Sequence, residues 1–473
     1  MARQDAVLVT PVAPRVHYRP MPVTRPRGRL AFLLPLPVAA AAGLGAGAAP
    51  GTTLVVAASV VSVVVLVRRV EWAALAVVCA AVFEGYLASV SPWTTDWLVA
   101  VLLVAWAVRR SQGPLHHHAL LTVVGPTVAL ATVLAVSYLA HPHGRAGLEV
   151  CATYAELALV MLVLADVMCG PLSPRRAARW YVLACVAASA CGIVTALVDD
   201  RHRVVGPVTN ADTFAFSLVA AVPLVGTVRT SRDQPVWWVW ACFATLMVAV
   251  VGTQSRPAFV GLVAMVLVGV LTGQLALRYA GALIAVVTTG VALVIAVLPM
   301  PVGQALTDPQ RLSDTNITQR NDFRLAAVEM TRAGPVIGLG PAAFPLLHQD
   351  YREVAPEEGD LDTAYSTALE ASAELGLLGL AALYAVWIVP AVAARRRWLR
   401  DRSTIVAGAL LALDGLLVAS LLQSEQRVLP LWFVAAMVLA LGRPQPVRTP
   451  IFATASDERP SGQVGPESRI VRH

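Results

Sequence analysis

Long apolar runs alternate with short polar breaks along the chain, and the runs show neither a helical nor a strand period. Runs of about 17–25 apolar residues cross a bilayer as helices. Fourteen are read, at residues 30–49, 52–67, 72–90, 93–108, 119–140, 148–168, 178–198, 212–228, 236–252, 257–275, 279–300, 366–394, 403–422 and 428–442. The expected fold is all-α, a polytopic membrane helix bundle of about 14 transmembrane helices. One large extracytoplasmic loop, residues 301–365, carries short amphipathic helices. Residues 1–29, rich in Arg and Pro and without an apolar core, read as a disordered cytoplasmic arm rather than a signal peptide. Residues 443–473 read as a disordered cytoplasmic tail, with residues 30–442 as the bundle between.

The polar breaks give the orientation. Cytoplasmic loops collect arginine. With the N-terminus inside, the inside segments hold Arg68, Arg69, Arg109, Arg110, Arg175, Arg176, Arg179, Arg229, Arg278 and the cluster Arg395–Arg402, besides those of arm and tail. An even number of spans with both termini cytoplasmic fits this pattern. The exceptions fall outside: Arg203, Arg256, Arg427 and the arginines of the long loop among them. A single arginine at the membrane edge has an ordinary explanation, a side chain that snorkels to headgroups. Several on loops that flank one large loop point instead to an anion site.

Composition supports the membrane reading. The chain is 57% hydrophobic and 14% charged, with mean hydropathy +0.68; soluble domains are nearer a quarter charged. The net charge of +7 does not indicate nucleic acid, because the basic residues sit in short loops where they set topology. All 36 basic residues are arginine. The six cysteines lie in or beside apolar runs without C-x-x-C spacing, and read as small buried hydrophobes.

The long loop holds the densest chemistry. In "TQRNDFRLAAVEMTRAGPVIGLGPAAF" an amphipathic helix is expected from about Asn321 to Arg332, with Arg320, Arg324 and Glu329 as polar positions and Gly334–Pro335 as its stop. Gly338 and Gly340 then allow backbone to approach a ligand closely. In "LDTAYSTALEASAELGLLGL" Glu370 and Glu374 lie four apart on one helix face at the outer end of a span. Such carboxylates pair with outer arginines or take part in proton transfer.

The ordered set "RVVGPVTNADTFAF", "GTQSRPAFVGL", "RNDFRLAAVEMTRAGPVIGLGPAAF" and "TAYSTALEASAELGLLGL" resembles the O-antigen ligase and O-antigen polymerase superfamily of bacterial membrane glycosyltransferases, over roughly residues 200–385. The resemblance implies an enzyme of the cytoplasmic (inner) membrane that uses a polyprenyl-diphosphate-linked glycan as donor. Its partners are then that lipid-linked glycan, a glycan or other hydroxyl acceptor and the bilayer, with no nucleic acid and no cofactor. The reaction implied is inverting and metal-independent, and no H-x-x-x-H or metal-holding D-x-D is singled out. By the same resemblance Arg203, Arg256 and Arg320 face the diphosphate; Asn210, Gly338, Gly340, His348 and Glu370 are read as further substrate-binding positions, and Arg324, which stands where the family more usually has an aromatic, as an extra ligand or an amphipathic-face cation. Arg256, Arg320, Glu374 and Tyr365 are the catalytic candidates. One departure stands out: the family's His-Asn pair is replaced here by Tyr365–Ser366. Stand-ins for the base are His348, Asp362, Glu370 and Glu374. The departure favours a polymerase of surface polysaccharide over a ligase.

Other polar residues have plainer readings. Glu84, Glu156 and Asp414 fall within spans, the first two toward the outer side and the last as a structural hydrogen-bonder. His116–His118 read as a solvated loop. The rival class is a transporter or flippase for glycan lipids or small anions, which charged mid-membrane residues along an inverted repeat would support. A catalytically impaired homologue is the third reading, on account of Tyr365.

Overall fold

The structure, a computed structural model, describes residues 62–91, 93–111, 117–199, 203–208, 210–230, 234–276, 281, 315–352 and 363–443. The expectations for the arm, the span at 30–49, most of those at 52–67 and 279–300, His116, Arg311, Asp362 and the tail after Arg443 lie outside those residues. Contacts divide the chain into Met1–Val65 and Leu66–His473, and every helix described here belongs to the second unit.

Regular structure among the described residues is helical throughout. The first helices are α1 (Val70–Ala80), α2 (Glu84–Val90), α3 (Thr94–Arg110), α4 (His117–Ala140), α5 (Gly144–Cys169) and α6 (Pro174–Val198). Then come α7 (Ala211–Ala221), which continues as a 3₁₀ turn over Val222–Val228, α8 (Val236–Thr253) and α9 (Arg256–Leu271). The loop segment supplies α10 (Thr315–Ala333) and α11 (Ala343–Leu347), and the chain closes with α12 (Thr367–Asp401), α13 (Thr404–Ser420) and α14 (Leu429–Leu441). Among the described residues six helical segments are long and apolar enough to cross a membrane, and four more are apolar but shorter. The run expected to span at 72–90 is broken: Ala81–Phe83 turn between α1 and α2, and Glu84 opens the second helix instead of lying inside a span.

α14 lies at the centre. All of its residues are buried, as expected of a helix apolar on every side. Trp432 packs edge-on against Trp387 of α12 with ring centroids 5.7 Å apart, and Phe433 packs against Tyr181 of α6 at 4.9 Å. At its C-terminal end the Arg397 guanidinium donates to the carbonyls of Leu441 at 2.6 Å and Arg443 at 2.9 Å, which pairs groups a helix end leaves open. Asp414 accepts from Arg395 at 2.6 Å, a structural bond between α13 and α12 in keeping with its sequence reading.

α12 is two half-helices. Gly376, with φ of +68° and ψ of −174°, breaks it. Residues 335–340 of the long loop dock into the break. Leu339 and Gly340 donate to the carbonyls of Ala373 and Glu374 at 2.9 and 3.0 Å, while Leu377 and Leu378 donate to Pro335 and Val336 at 2.9 and 3.3 Å. The loop therefore completes the hydrogen bonds that the break removes. Gly338 and Gly376, both at positive φ, are where the two backbones meet, and a Cβ on either one would collide with the other segment's backbone.

Candidate functional site

Residues far apart in sequence meet at one end of the bundle. Asn210 caps α7 through its side-chain oxygen, which accepts from the Asp212 amide at 2.8 Å. The cap orients the first turn of α7 and with it the Asp212 carboxylate. That carboxylate takes two arginines. Arg203 donates to Oδ1 at 3.1 Å and Arg320 of α10 lies 3.7 Å from Oδ2. Arg203 also donates from Nε to the Thr253 carbonyl at 2.8 Å. Thr253 ends α8, Gln254 turns with φ of +54°, and Arg256 begins α9. Arg256 is exposed, and beside it the buried Ser255 hydroxyl lacks a hydrogen-bond partner. Two of the predicted arginines, on separate segments, thus meet at Asp212, and the third, Arg256, directly follows the turn to which Arg203 donates.

α10 is amphipathic as expected, though it starts earlier, at Thr315. Phe323, Ala326, Ala327 and Met330 are fully buried on one face, and Glu329 pairs with Arg332 at 2.5 Å on the exposed side. Arg320 and Arg324 leave the helix one turn apart. Arg324 donates to the carbonyls of Tyr365 at 3.3 Å and Leu422 at 3.5 Å, so it ties α10 to two loops. Burial first, then the neighbouring Arg320 charge, lowers the Arg324 pKa.

His348 is buried, with Nδ1 3.0 Å from the Phe344 carbonyl and its ring stacked on Phe344 at 5.3 Å. Because a carbonyl only accepts, Nδ1 carries the proton. Nε2 is then a buried lone pair with no hydrogen-bond partner. Gly338 and Gly340, read from sequence as places for a ligand, meet protein instead: the α12 backbone and the His141–His143 loop.

Glu370 and Glu374 do share one face of α12, and both are buried, at 0% and 1% exposure. Glu370 Oε1 accepts from Gln426 at 2.6 Å and Arg427 at 2.9 Å, and Oε2 from the Ala364 amide at 3.4 Å. Of the two roles considered for Glu370, pairing with an arginine is the one seen, and the partner is Arg427. Glu374 lies one turn further along α12, its Oε1 unpartnered, while its backbone carbonyl accepts from the Gly340 amide.

Sequence reading passed over the connection 421–428. Thr367 donates to the Gln423 carbonyl at 3.1 Å, and the Glu425 amide donates back to Thr367 Oγ1 at 3.0 Å. Glu425, 2% exposed, accepts from the Thr213 hydroxyl at 3.0 Å and from Gln423. Burial pushes its carboxyl up to about 8, against the pull of the Thr213 hydroxyl. Asp212 was missed as well. The signal for both was available: a charged run, Ser424–Arg427, between two apolar spans, and an Asp two residues after a capping Asn.

Among the described residues no three His, Cys, Asp or Glu side chains gather as metal ligands do. The sequence does contain one D-x-D, Asp360–Leu361–Asp362, which lies outside the described residues.

No curated protein matches the chain. A family model described as O-antigen ligase matches residues 241–384. That stretch runs from α8 through the arginine turn, the long loop and the break in α12, and over it the chain is similar to the O-antigen ligase family.

Proposed function

We propose that the protein is a membrane glycosyltransferase that transfers or polymerises a glycan carried on a polyprenyl diphosphate, at the outer face of the cytoplasmic membrane. Polymerisation is the favoured form. The observation that carries the reading is the meeting of Arg203 and Arg320 at Asp212, with Arg256 directly following the turn to which Arg203 donates. Three permanent cations with one carboxylate between two of them leave a net positive site. A diphosphate leaving group suits it in charge and in the planar, two-pronged geometry a guanidinium offers.

In the proposed reaction an acceptor hydroxyl oxygen bonds to the anomeric carbon on the face opposite the carrier. The bond from that carbon to the diphosphate oxygen breaks, and the electron pair leaves with the lipid diphosphate. Positive charge builds on the sugar and negative charge on the diphosphate, and the arginines stabilise the latter. The acceptor proton departs late, to water or the released diphosphate. A phenol, whose reference pKa is near 10, is a poor base at neutral pH. Glu374 is buried, with its carboxylate beside the backbone of Ala342 and Phe344, which supports a reaction driven by leaving-group stabilisation.

The test is the glycan profile of a deletion strain complemented by wild type, Arg256→Ala or Arg256→Lys. Accumulated single lipid-linked repeat units indicate a polymerase; long lipid-linked chains indicate a ligase. Arg256→Ala is expected to match the deletion while the protein stays in the membrane, with poor rescue by Lys. Unchanged glycans in the deletion strain overturn the reading.

A further inference from the structure

Tyr365 stands where the resemblance expects histidine, and its surroundings give the ring a different task. The Arg320 guanidinium carbon lies over the ring, 4.6 Å from its centroid. A cation so placed is attracted by the negative face of the aromatic ring. Phe323 supports the ring from the side, with centroids 5.9 Å apart.

The backbone that carries the ring is held firmly. Tyr365 has φ of +51°, a conformation uncommon for a residue with a side chain. Arg324 donates to its carbonyl at 3.3 Å, and its amide donates to Thr363 Oγ1 at 3.2 Å. The amides on either side are taken by Glu370 and Ser424. Arg320 is less constrained. Its side chain is 29% exposed, and its other described partner is the Asp212 carboxylate at 3.7 Å.

We infer that Tyr365 is a positioning residue: its ring and the Asp212 carboxylate hold Arg320 from two sides and leave further N–H donors for the anion. This rests on the proposed glycan transfer. It also gives the substitution a chemical sense. An imidazole here would repel Arg320 once protonated, within the pH range where histidine titrates. A phenol ring stays neutral across that range and keeps its face available.

The experiment uses the full chain in nanodiscs with arginine labelled by ¹⁵N. The Arg320 Nε–Hε resonance is assigned by its disappearance in Arg320→Ala. A ring-current shift is expected in wild type and Tyr365→Phe and is lost in Tyr365→Leu. Affinity for geranylgeranyl diphosphate is measured alongside. It is expected to fall on the order of tenfold in Tyr365→Leu and in Arg320→Ala, with no further loss in the double variant, and to stay within about twofold in Tyr365→Phe. Tyr365→His preserves the ring shape should Tyr365→Leu not fold: shift and affinity are expected near pH 8 and lost near pH 5. The inference is overturned if Arg320 Hε is unmoved in the Leu variant, if Phe behaves like Leu, or if the His variant is indifferent to pH. If wild type does not bind the diphosphate, the proposed function fails, and the ring-current result alone decides the placement of Tyr365.

Discussion

Glu370 and Arg427 form a pair whose two members differ in access to water, and removing one should not equal removing the other. Glu370 is 0% exposed and the Arg427 side chain 35% exposed. Arg427→Gln leaves a carboxylate in the interior with only the Gln426 and Ala364 donors. Breaking a buried pair in that direction costs about 3–5 kcal/mol. Glu370→Gln keeps an acceptor for the same donors and leaves a guanidinium that turns toward solvent. The Arg427 bond is lost and the Gln426 and Ala364 bonds become neutral, a loss of roughly 2 kcal/mol, which the partial exposure of Arg427 reduces to about 1–2 kcal/mol. The double variant should recover much of the Arg427→Gln loss, because no unpaired charge remains. The assay is thermal unfolding in detergent at a fixed scan rate, following the order of the midpoints. Equal losses, the opposite order, or a double variant that sums the singles would refute the reasoning.

Asp212→Asn should leave folding nearly unchanged, since its arginine partners are partly exposed. Transfer from a purified lipid-linked donor should still fall on the order of tenfold, because Arg203 and Arg320 lose their common anchor; full activity would show that they need none. Gly376→Ala forces a side chain into positive φ and into the Val336 backbone, and should lower stability by at least about 2 kcal/mol. Gly226→Ala, where a Cβ meets nothing within 4 Å, should be near neutral in the same unfolding measurement. Glu425 titrates at about 8 in the folded protein against an ordinary 4.5. A raised carboxyl favours the folded state most below the lower value, and that stability is lost as pH rises through the higher one. The difference in unfolding midpoint between wild type and Glu425→Gln should therefore shift against wild type between about pH 4.5 and 8; a difference constant over that range would contradict the assignment.

The sequence carried much of this arrangement wherever the information was local. Apolar runs marked α4 to α9 and α12 to α14 nearly to their ends, and the polar positions Arg320, Arg324 and Glu329 marked α10 as amphipathic. Gly334–Pro335 marked its stop. Of the arginines set apart by the topological rule, Arg203 and Arg320 meet at Asp212, and Arg203 also reaches the turn that precedes Arg256. What stayed hidden depends on distant partners. "AELGLLGL" reads as unbroken helix, because the bonds that permit a break at Gly376 come from residues 335–340. Hydropathy likewise runs smoothly through Ala81–Phe83, so the end of α1 left no mark. The glycines of "GPVIGLG" signalled close approach correctly but not its object, which is the chain itself rather than a ligand. Tyr365 stood out as a departure; that its ring lies under Arg320 follows from the fold alone.

The docking of residues 335–340 into α12 has a mechanical consequence. Four backbone bonds join the two segments, and in a medium without water each would have to be given up unpaired if they separated. Residues 335–340 consequently move with the helix and do not swing as a hinged cover. A chain lacking residues 335–340 would leave the two halves of α12 with open carbonyls and amides at their junction. α12 and residues 335–340 are thus one folding unit, each supplying the other's missing backbone partners.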